Sequence, residues 1–173
     1  MDYTLRQASI ADAHTLGAIG ETTFRETFAA HYSAETMAIY VDAAFAVDKL
    51  RQELASNSSV FWILTVEERC AGYLKLNWGD AQTASHVGDG LEVERIYLSR
   101  AAQGRGLGRV LFDKARSVAE AMHKEFLWLG VWENNHPAIG FYRAQGFVEI
   151  GTHRFQMGDV WDTDLTMKLS LVT

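Results

Sequence analysis

The sequence has only one cysteine, one proline and no long hydrophobic run among its 173 residues. Since the lone Cys70 cannot form an internal disulfide and no CxxC or clustered Cys/His spacing occurs, a disulfide-stapled secreted fold and a zinc site lose their main support. The longest apolar stretches, such as residues 60–64, fall far short of the ~20 residues that span a bilayer. The first residues also lack the apolar core of a signal peptide. These absences predict a soluble cytoplasmic protein with no membrane partner and no metal.

Basic residues do not outnumber acidic ones either. The chain has 16 Lys and Arg against 22 Asp and Glu, a net charge of -6, which disfavours nucleic acid as a partner and suits a cationic one better. With 48% hydrophobic and 22% charged residues, the composition is typical of a folded globular protein. Because chains split into separate cores only well beyond this length, we expect a single domain over residues 1–173.

Hydrophobic periodicity predicts alternating helices and strands, which together indicate an α/β fold with a mixed sheet. The pattern favours an antiparallel hairpin with its turn at Glu67-Glu-Arg. Residues 79–90 are polar and contain glycine, so they are predicted to form a loop. Strands are predicted over residues 3–6, 60–66, 70–77, 91–98, 126–132, 147–150 and 165–169. Helices are predicted over residues 13–30, 34–40, 48–55, 107–124 and 137–145.

A glycine loop between the strand at 91–98 and the following helix has a spacing that suits phosphate binding. Gly104, Gly106 and Gly108 let the backbone turn several N–H groups toward one point at a helix N-terminus, where the dipole favours an anion. Nearby cations that could pair with phosphate oxygens are Arg100, Arg105 and Arg109. A tight strand-to-helix turn is the alternative. The spacing is not that of a dinucleotide fingerprint, and the Gly-Lys-Ser/Thr of a P-loop is absent.

Two ordered motifs make the chain resemble the GNAT superfamily of N-acetyltransferases. The first is Gln103-x-x-Gly106-x-Gly108 after the strand at 91–98. The second is Asn135-His-Pro-Ala-Ile-Gly-Phe-Tyr142-Arg-Ala-Gln-Gly-Phe147. The similarity covers residues 91–168 tightly. The segments at 23–28, 128–135, 151–155 and 164–168 resemble the spermidine/spermine acetyltransferase branch.

The resemblance implies a fold, a co-substrate and a set of site residues. The fold is a mixed, mostly antiparallel central sheet with splayed central strands and flanking helices, and the co-substrate is acetyl-CoA. The backbone of Ile96, Tyr97 and Leu98 is expected to pair with the pantetheine arm, Asn135 to hydrogen-bond the cofactor, and Tyr142 to lie near its sulfur. The residues expected to bind the pyrophosphate are Gln103, Gly104, Arg105, Gly106, Leu107, Gly108 and Arg109.

Two glutamates are candidates for the general base that deprotonates the acceptor amine. Glu92 and Glu94 are spaced to project from the same strand face, which alternation predicts to be that of Ile96 and Leu98. Either could take the proton directly or through water. The position of Glu92 before Gln103 resembles that of the glutamate base in histone-modifying members of the superfamily. The alternative is that one or both only form salt bridges, for instance with Arg95 or Arg154.

These observations predict an enzyme that transfers an acetyl group from acetyl-CoA to a primary amine by direct attack. The branch resemblance and the net acidity favour a polyamine-type small-molecule acceptor. A protein N-terminus, a lysine or another small amine is the alternative, and a non-catalytic acyl-CoA sensor is a hypothesis of a different class. A nucleotide-binding module is disfavoured by the broken motifs. The resemblance admits a homodimer.

Overall fold

The computed structural model describes residues 2–84 and 89–172, which form a central sheet with helices on both faces. The strands are β1 (Tyr3–Gln7), β2 (Ser59–Val66), β3 (Arg69–Asn77), β4 (Gly90–Leu98), β5 (Phe126–Trp132), β6 (Val148–Met157) and β7 (Val160–Ser170). The helices are α1 (Ala13–Phe28), α2 (Ala34–Ala44), α3 (Val47–Ala55), α4 (Leu107–Ala121) and α5 (His136–Ala144). Short 3-10 turns lie at Ile10–Asp12, Gly79–Ala81 and Arg100–Ala102.

The described residues form a sheet of seven strands in the order β1-β2-β3-β4-β5-β7-β6. Among these strands β4 and β5 run parallel, and every other neighbouring pair is antiparallel. The parallel pairing ends early, because Gly90, Leu91 and Glu92 are the only β4 residues in register with β5 in the described chain. The two central strands then separate. The predicted α/β fold with a mostly antiparallel sheet and splayed central strands is therefore confirmed.

The core lies on both faces of this sheet. α4 and α5 cover one face, where the amphipathic α4 buries Leu107, Leu111 and Phe112 against β3, β4 and β5. α1 and α3 cover the other face through contacts such as Leu16 and Leu50 against β2 and β3. α2 packs on the C-terminal part of α1 and reaches β6. The sheet is thus covered on both faces, and the gap between β4 and β5 opens between these layers.

Most predicted elements agree with the structure within a few residues, and the β2–β3 hairpin is confirmed. The strands predicted at 147–150 and 165–169 are too short, because β6 and β7 form a long hairpin. Most β6 side chains are exposed, so the sequence there lacks the apolar alternation that marks a half-buried strand. The helix predicted at 34–40 continues to Ala44. Of the loop predicted at 79–90, residues 85–88 lie outside the described residues, and Gly90 already belongs to β4.

A β-bulge in β4 corrects the predicted strand face of the glutamates. Leu76 pairs with Val93 and Lys75 with Arg95, which leaves Glu94 as an extra residue without a register partner in β3. A bulge of this kind reverses the alternation beyond it. Ile96 and Leu98 accordingly pack into the core beneath α4 together with Val93. The prediction that they share a face with Glu92 is therefore wrong. Glu92 and Glu94 do share a face, since both accept hydrogen bonds from one side chain of β3.

Candidate active site

A cleft of about 880 Å³ opens where β4 and β5 separate. Its walls come from β4, the glycine loop, the start of α5, the C-terminal half of α1, and β5, β6 and β7. Most of the residues predicted for the site meet here. Those that line the cleft are Glu92, Glu94, Ile96, Tyr97, Leu98, Gln103, Gly104, Gly108, Asn135 and Tyr142.

The free edge of β4 contributes backbone groups to the cleft. β3 pairs with β4 as far as Leu98, whereas β5 pairs with it only as far as Glu92. The groups that point toward β5 beyond Glu92 therefore have no strand partner, and an extended chain that carries amides can pair with such an edge. The Leu98 carbonyl also accepts a hydrogen bond of 3.1 Å from Gln103 Nε2. This bond holds the start of the glycine loop against the end of the strand.

The glycine loop has the geometry of an anion site. Gly104 and Gly106 have φ values of 70° and 79°, a left-handed conformation that favours glycine. No atom of residues 2–84 or 89–172 lies within 4 Å of a Cβ built on either residue, so these residues leave the space beside the loop open. α4 begins at Leu107, directly after the loop, and the first N–H groups of a helix have no partner inside the helix. The loop therefore fits a pyrophosphate group such as that of acetyl-CoA.

Two of the three arginines considered for phosphate binding are held by other groups. Arg109 donates to Asp113 and Gln145, each at 2.7 Å. The guanidinium of Arg100 donates to the Glu26 carbonyl at 3.0 Å. Arg105 is exposed on the loop and makes no such bond within the described part of the chain. The fit for an anion therefore rests on the backbone of the loop, and side-chain contacts from Arg105 and Arg109 remain predictions.

Asn135 lies at the N-terminus of α5 and caps it. Its Oδ1 accepts a hydrogen bond of 3.3 Å from the Ala138 backbone N–H. Its Nδ2 donates no hydrogen bond to the residues that the structure describes, and the side chain lines the cleft. The amide is therefore oriented by the helix and has a donor free for a ligand.

Tyr142 extends from α5 to the wall of the cleft. Its ring packs against Phe141 and Phe147, with ring centroids 5.5 and 5.7 Å away. Within the described residues its hydroxyl makes no hydrogen bond. Burial raises the pKa of Tyr142 above its ordinary value, so the phenol keeps its proton at neutral pH. The cleft is thus supplied with a fixed neutral O–H donor.

Glu92 is almost completely buried at the closed end of the cleft. Its carboxylate accepts hydrogen bonds of 3.0 Å from Asn77 Nδ2 and 2.9 Å from the Thr83 backbone N–H, and another from the Thr83 hydroxyl. Burial, the largest effect, raises the pKa of Glu92 above its ordinary value, while the bonds from Thr83 and Asn77 lower it. Glu92 is therefore the more basic of the two strand carboxylates.

Glu94 has a different environment, because two cations hold it. Its carboxylate lies 2.5 Å from Lys75 Nζ and 3.3 Å from the Arg95 guanidinium. Lys75 and Arg95 also contact Glu53 of α3, at 3.2 and 3.3 Å. Burial would raise the pKa of Glu94, but Arg95 and Lys75 outweigh it and hold that pKa below its ordinary value. The predicted alternative of a strand salt bridge with Arg95 is thus seen for Glu94, though not with Arg154.

The wall of the cleft opposite the glycine loop, which we call the acceptor-side wall, combines aromatic rings with a carboxylate. It includes Tyr40, Phe155 and Asp164. Tyr40 of α2 stacks on Phe24 with ring centroids 4.6 Å apart, and Phe155 of β6 meets Tyr40 edge-on at 6.0 Å. The Tyr32 hydroxyl donates a hydrogen bond to Asp162. Asp164 lines the same wall. Cations are attracted both to carboxylates and to the faces of aromatic rings, so this half of the cleft suits an ammonium group.

His153 lies on this acceptor-side wall next to Asp164. Its Nε2 is 3.6 Å from Asp164 Oδ2, and its Nδ1 is 3.2 Å from Thr166 Oγ1. A Cβ on Gly130 would come within 2.8 Å of the imidazole, so this residue of β5 leaves the room that the ring occupies. Burial raises the pKa of Asp164, and the neighbouring His153 lowers it. His153 is therefore a fixed polar group facing the acceptor side.

Sequence patterns did not indicate most of this acceptor-side wall, and they did not indicate Asn77 and Thr83. Asn77 is isolated in sequence from Glu92 and reaches it only through strand pairing. The segment from His153 to Asp164 shows no regular alternation of polar and apolar residues, so no local sequence pattern could have located the wall.

In the described part of the chain no His, Cys, Asp and Glu side chains group into a metal-binding cluster. The metal-free site stays a prediction. None of the helices described is long and apolar enough to cross a membrane.

Comparison with known proteins identifies relatives over nearly the whole chain. Residues 23–147 match the model of the acetyltransferase (GNAT) family. An uncharacterized N-acetyltransferase in the pepI 3' region of Lactobacillus delbrueckii subsp. lactis is 42% identical over 166 residues, which is 96% of each chain.

Two solved structures have the same fold. The PaiA N-acetyltransferase from Thermoplasma acidophilum in complex with coenzyme A has a TM-score of 0.82 at 21% identity, with 98% of this chain and 99% of that chain covered. yncA from Salmonella typhimurium, solved with its cofactor acetyl-CoA, has a TM-score of 0.68 at 22% identity, with 100% and 96% covered.

Proposed function

The chain belongs to the acetyltransferase (GNAT) family and is an acetyl-CoA-dependent acyltransferase, and we propose that it acetylates a small primary amine of the polyamine type by direct attack. The proposal rests mainly on the fact that the two sides of the cleft have different chemistry. An anion-binding loop and a free strand edge lie on one side, and carboxylates with aromatic rings lie on the other. The buried Glu92 stands between them.

The donor side of the cleft positions the thioester. In the proposal, backbone groups of Ile96, Tyr97 and Leu98 pair with the amides of the pantetheine arm, and the loop around Gly104 and Gly106 binds the pyrophosphate. Bound acetyl-CoA supplies the acyl group and a thiolate leaving group. These contacts fix the acyl carbon at the opening between β4 and β5, where an amine from the other side can reach it.

Glu92 is the proposed general base. An ammonium group must lose a proton before its nitrogen can attack, and a buried carboxylate with a raised pKa is suited to accept that proton near neutral pH. The nitrogen then bonds to the acyl carbon while the bond from that carbon to sulfur breaks, and the second proton that the nitrogen loses neutralises the departing thiolate to the free thiol. Tyr142 donates its hydrogen bond to the departing thiolate. Glu94 remains ionised beside Lys75 and Arg95, so it contributes charge rather than proton transfer.

The chemistry of the opposite wall supports this acceptor class. An acceptor with further ammonium groups can bind beside the Asp164 carboxylate, and its methylene chain can lie on Tyr40 and Phe155. The net charge of -6 attracts such a cation over a longer range. We place the protein in the cytoplasm, and a homodimer is a proposal that rests on the resemblance alone.

A panel of amines with acetyl-CoA tests the proposal by the release of free thiol. Diamines and polyamines should give a higher kcat/KM than monoamines of equal length, and Asp164→Asn, which removes a carboxylate from the opposite wall, should reduce that preference. A preference for peptides with a free N-terminus or lysine would replace the polyamine by the alternative acceptor. Tight acetyl-CoA binding with no turnover on any amine would favour the acyl-CoA sensor.

A further inference from the structure

We propose that Asn77 is a positioning residue for the proton transfer, because its side-chain amide joins Glu92 to Glu94 and holds Glu92 in the cleft. The inference rests on the proposed role of Glu92 as general base. Asn77 is fully buried at the end of β3. Its Nδ2 donates to Glu92 Oε2 at 3.0 Å and to Glu94 Oε2 at 2.6 Å. Both protons of one amide are therefore used on two carboxylates.

Ser59 fixes the direction of this amide. The Ser59 hydroxyl donates a hydrogen bond of 2.9 Å to Asn77 Oδ1. A flipped amide would turn its oxygen toward the two carboxylates and its NH2 group toward the serine, so that both carboxylates would lose their shared donor. The chain from Ser59 through Asn77 to the glutamates therefore has one favourable orientation.

Strand register places both carboxylates within reach of Asn77. Asn77 is in register with Glu92, while Glu94 lies two residues further along β4, at the bulge between the Leu76–Val93 and Lys75–Arg95 pairs. Residues two positions apart on a strand share a face, and such a diagonal neighbour across an antiparallel pair is within reach of a long side chain. One amide therefore reaches both carboxylates.

The charges around the pair give the amide its importance. Lys75 and Arg95, backed by Glu53, hold Glu94 as an anion. Within the described residues Glu92 has no cation at ion-pair distance. The neighbours that face it are Thr83, Asn77, the Glu94 anion and Trp128 of β5, with Asp164 and His153 across the cleft.

Without the Asn77 donor, Glu92 would face that anion with only Thr83 to stabilise its own charge. Loss of a hydrogen bond to the charged form raises the pKa of a carboxyl group. Glu92 would then be protonated over a wider pH range and would accept a proton less readily.

The test is a pair of measurements on Asn77→Ser, whose hydroxyl is too short to bridge both carboxylates. The first follows the Glu92 carboxyl carbon by NMR during a pH titration, assigned with Glu92→Gln and carried out without acceptor. The second is the pH profile of kcat/KM for acetyl transfer. We expect the Glu92 titration and the acidic limb of the profile to move upward together by about one pH unit. Turnover should recover at high pH, which a merely structural defect would not produce.

Two further variants separate positioning from folding. Asn57→Ser makes the same exchange at an exposed residue and should leave both measurements unchanged. Ser59→Ala keeps Asn77 but removes the bond that orients it, so it should move both measurements in the same direction by less. If Asn77→Ser does not fold, the two measurements on Ser59→Ala test the role of Asn77 by themselves.

Two results would count against the scheme, and they are distinguishable. A Glu92 titration that stays in place in folded variants would overturn the role of Asn77, whatever the acceptor is. A titration that moves while the pH profile of turnover does not would instead remove Glu92 as the base, and with it that part of the proposed function.

Discussion

Glu92 pairs with Trp128 at the last position where β4 and β5 are in register. The carboxylate therefore stands at the point where the sheet opens, and its backbone is still fixed by strands on both sides. Beyond it, β4 offers free backbone groups to a ligand. A base at this position is rigid and yet adjacent to the opening, which is the placement that acyl transfer between two bound substrates requires.

Glu92→Gln keeps the size of the side chain but removes the proposed base, so kcat/KM at neutral pH should fall by about 100-fold. The loss should shrink as the pH rises, because the free amine then becomes abundant without help. In the unmodified protein the acidic limb should lie above the ordinary glutamate pKa, since burial raises the pKa of Glu92. Steady-state kinetics from acid to alkaline pH measure both effects.

Glu94→Gln is the matched variant for this experiment. It removes a carboxylate of the same strand but leaves Lys75 and Arg95 with less compensation in a buried site, so stability should fall more than it does in Glu92→Gln. If Glu94→Gln alone shows the loss that shrinks with rising pH, then Glu94 is the base.

Gly106→Val should weaken acetyl-CoA binding. A β-branched residue resists the left-handed φ of 79° at this position and would occupy the open space beside the loop. With a strain of about 1–3 kcal/mol at such a position, the Kd should rise by about 10-fold or more. Calorimetric titration measures the Kd.

Gly140→Ala is the matched control for the glycine loop. Gly140 lies in α5, has an ordinary helical φ and has no atom within 4 Å of a built Cβ. The variant should bind acetyl-CoA normally. Equal affinity of Gly106→Val and Gly140→Ala would mean that the loop is only a tight turn.

The sequence predicted the donor half of the cleft far better than the acceptor half. The glycine loop and Asn135 belong to local motifs, in which each residue is placed by its neighbours along the chain. The acceptor-side contacts are not local. Tyr32 meets Asp162 only because α1 ends beside β7, and no short-range pattern encodes that meeting.

The side-chain directions in β4 were also mispredicted because they depend on pairing with another strand. Alternation alone placed Glu92 on the face of Ile96, and it would be right for an unbroken strand. The extra residue Glu94 reverses the alternation. Because a bulge depends on how β3 pairs with β4, the sequence of β4 by itself does not reveal it.

Asp12→Asn should reduce stability in a pH-dependent way. The Arg6 guanidinium and the Ser9 backbone N–H bind this carboxylate and lower its pKa from 3.8 to about 2. A lowered pKa means stability that is present above pH 3.8 and lost as the pH falls toward about 2. Because Arg6 is half exposed, we expect a loss of about 1 kcal/mol in the free energy of unfolding at pH 7. Urea unfolding at a series of pH values measures it.

Asp48→Asn provides the comparison for that measurement. Asp48 pairs with Arg51 on the surface of α3 and is largely exposed, so the free energy of unfolding should hardly change. A difference between Asp12→Asn and the unmodified protein that persists at pH 2 would contradict the assignment to this ion pair.

Tyr142→Phe should lower turnover without weakening acetyl-CoA binding. A phenol has an ordinary pKa of about 10 and a thiol one of about 8.5, so full proton transfer to a thiolate is uphill by about 2 kcal/mol. Burial raises the pKa of Tyr142 further, which makes full transfer less favourable still. We therefore expect the hydroxyl to act as a hydrogen-bond donor to the departing thiolate. Its loss should reduce kcat by about 10 to 1000-fold, the range for a positioned donor.

Tyr73→Phe is the control that separates this role from packing. Tyr73 is buried, like Tyr142, and its hydroxyl has no hydrogen-bond partner among the described residues. Removing that hydroxyl should leave turnover and stability almost unchanged, so any loss in Tyr142→Phe beyond it belongs to the cleft. Because the ring of Tyr142 stays packed between Phe141 and Phe147 in the variant, acetyl-CoA affinity should remain normal. Near-normal kcat in a folded Tyr142→Phe protein would remove this hydroxyl from the mechanism.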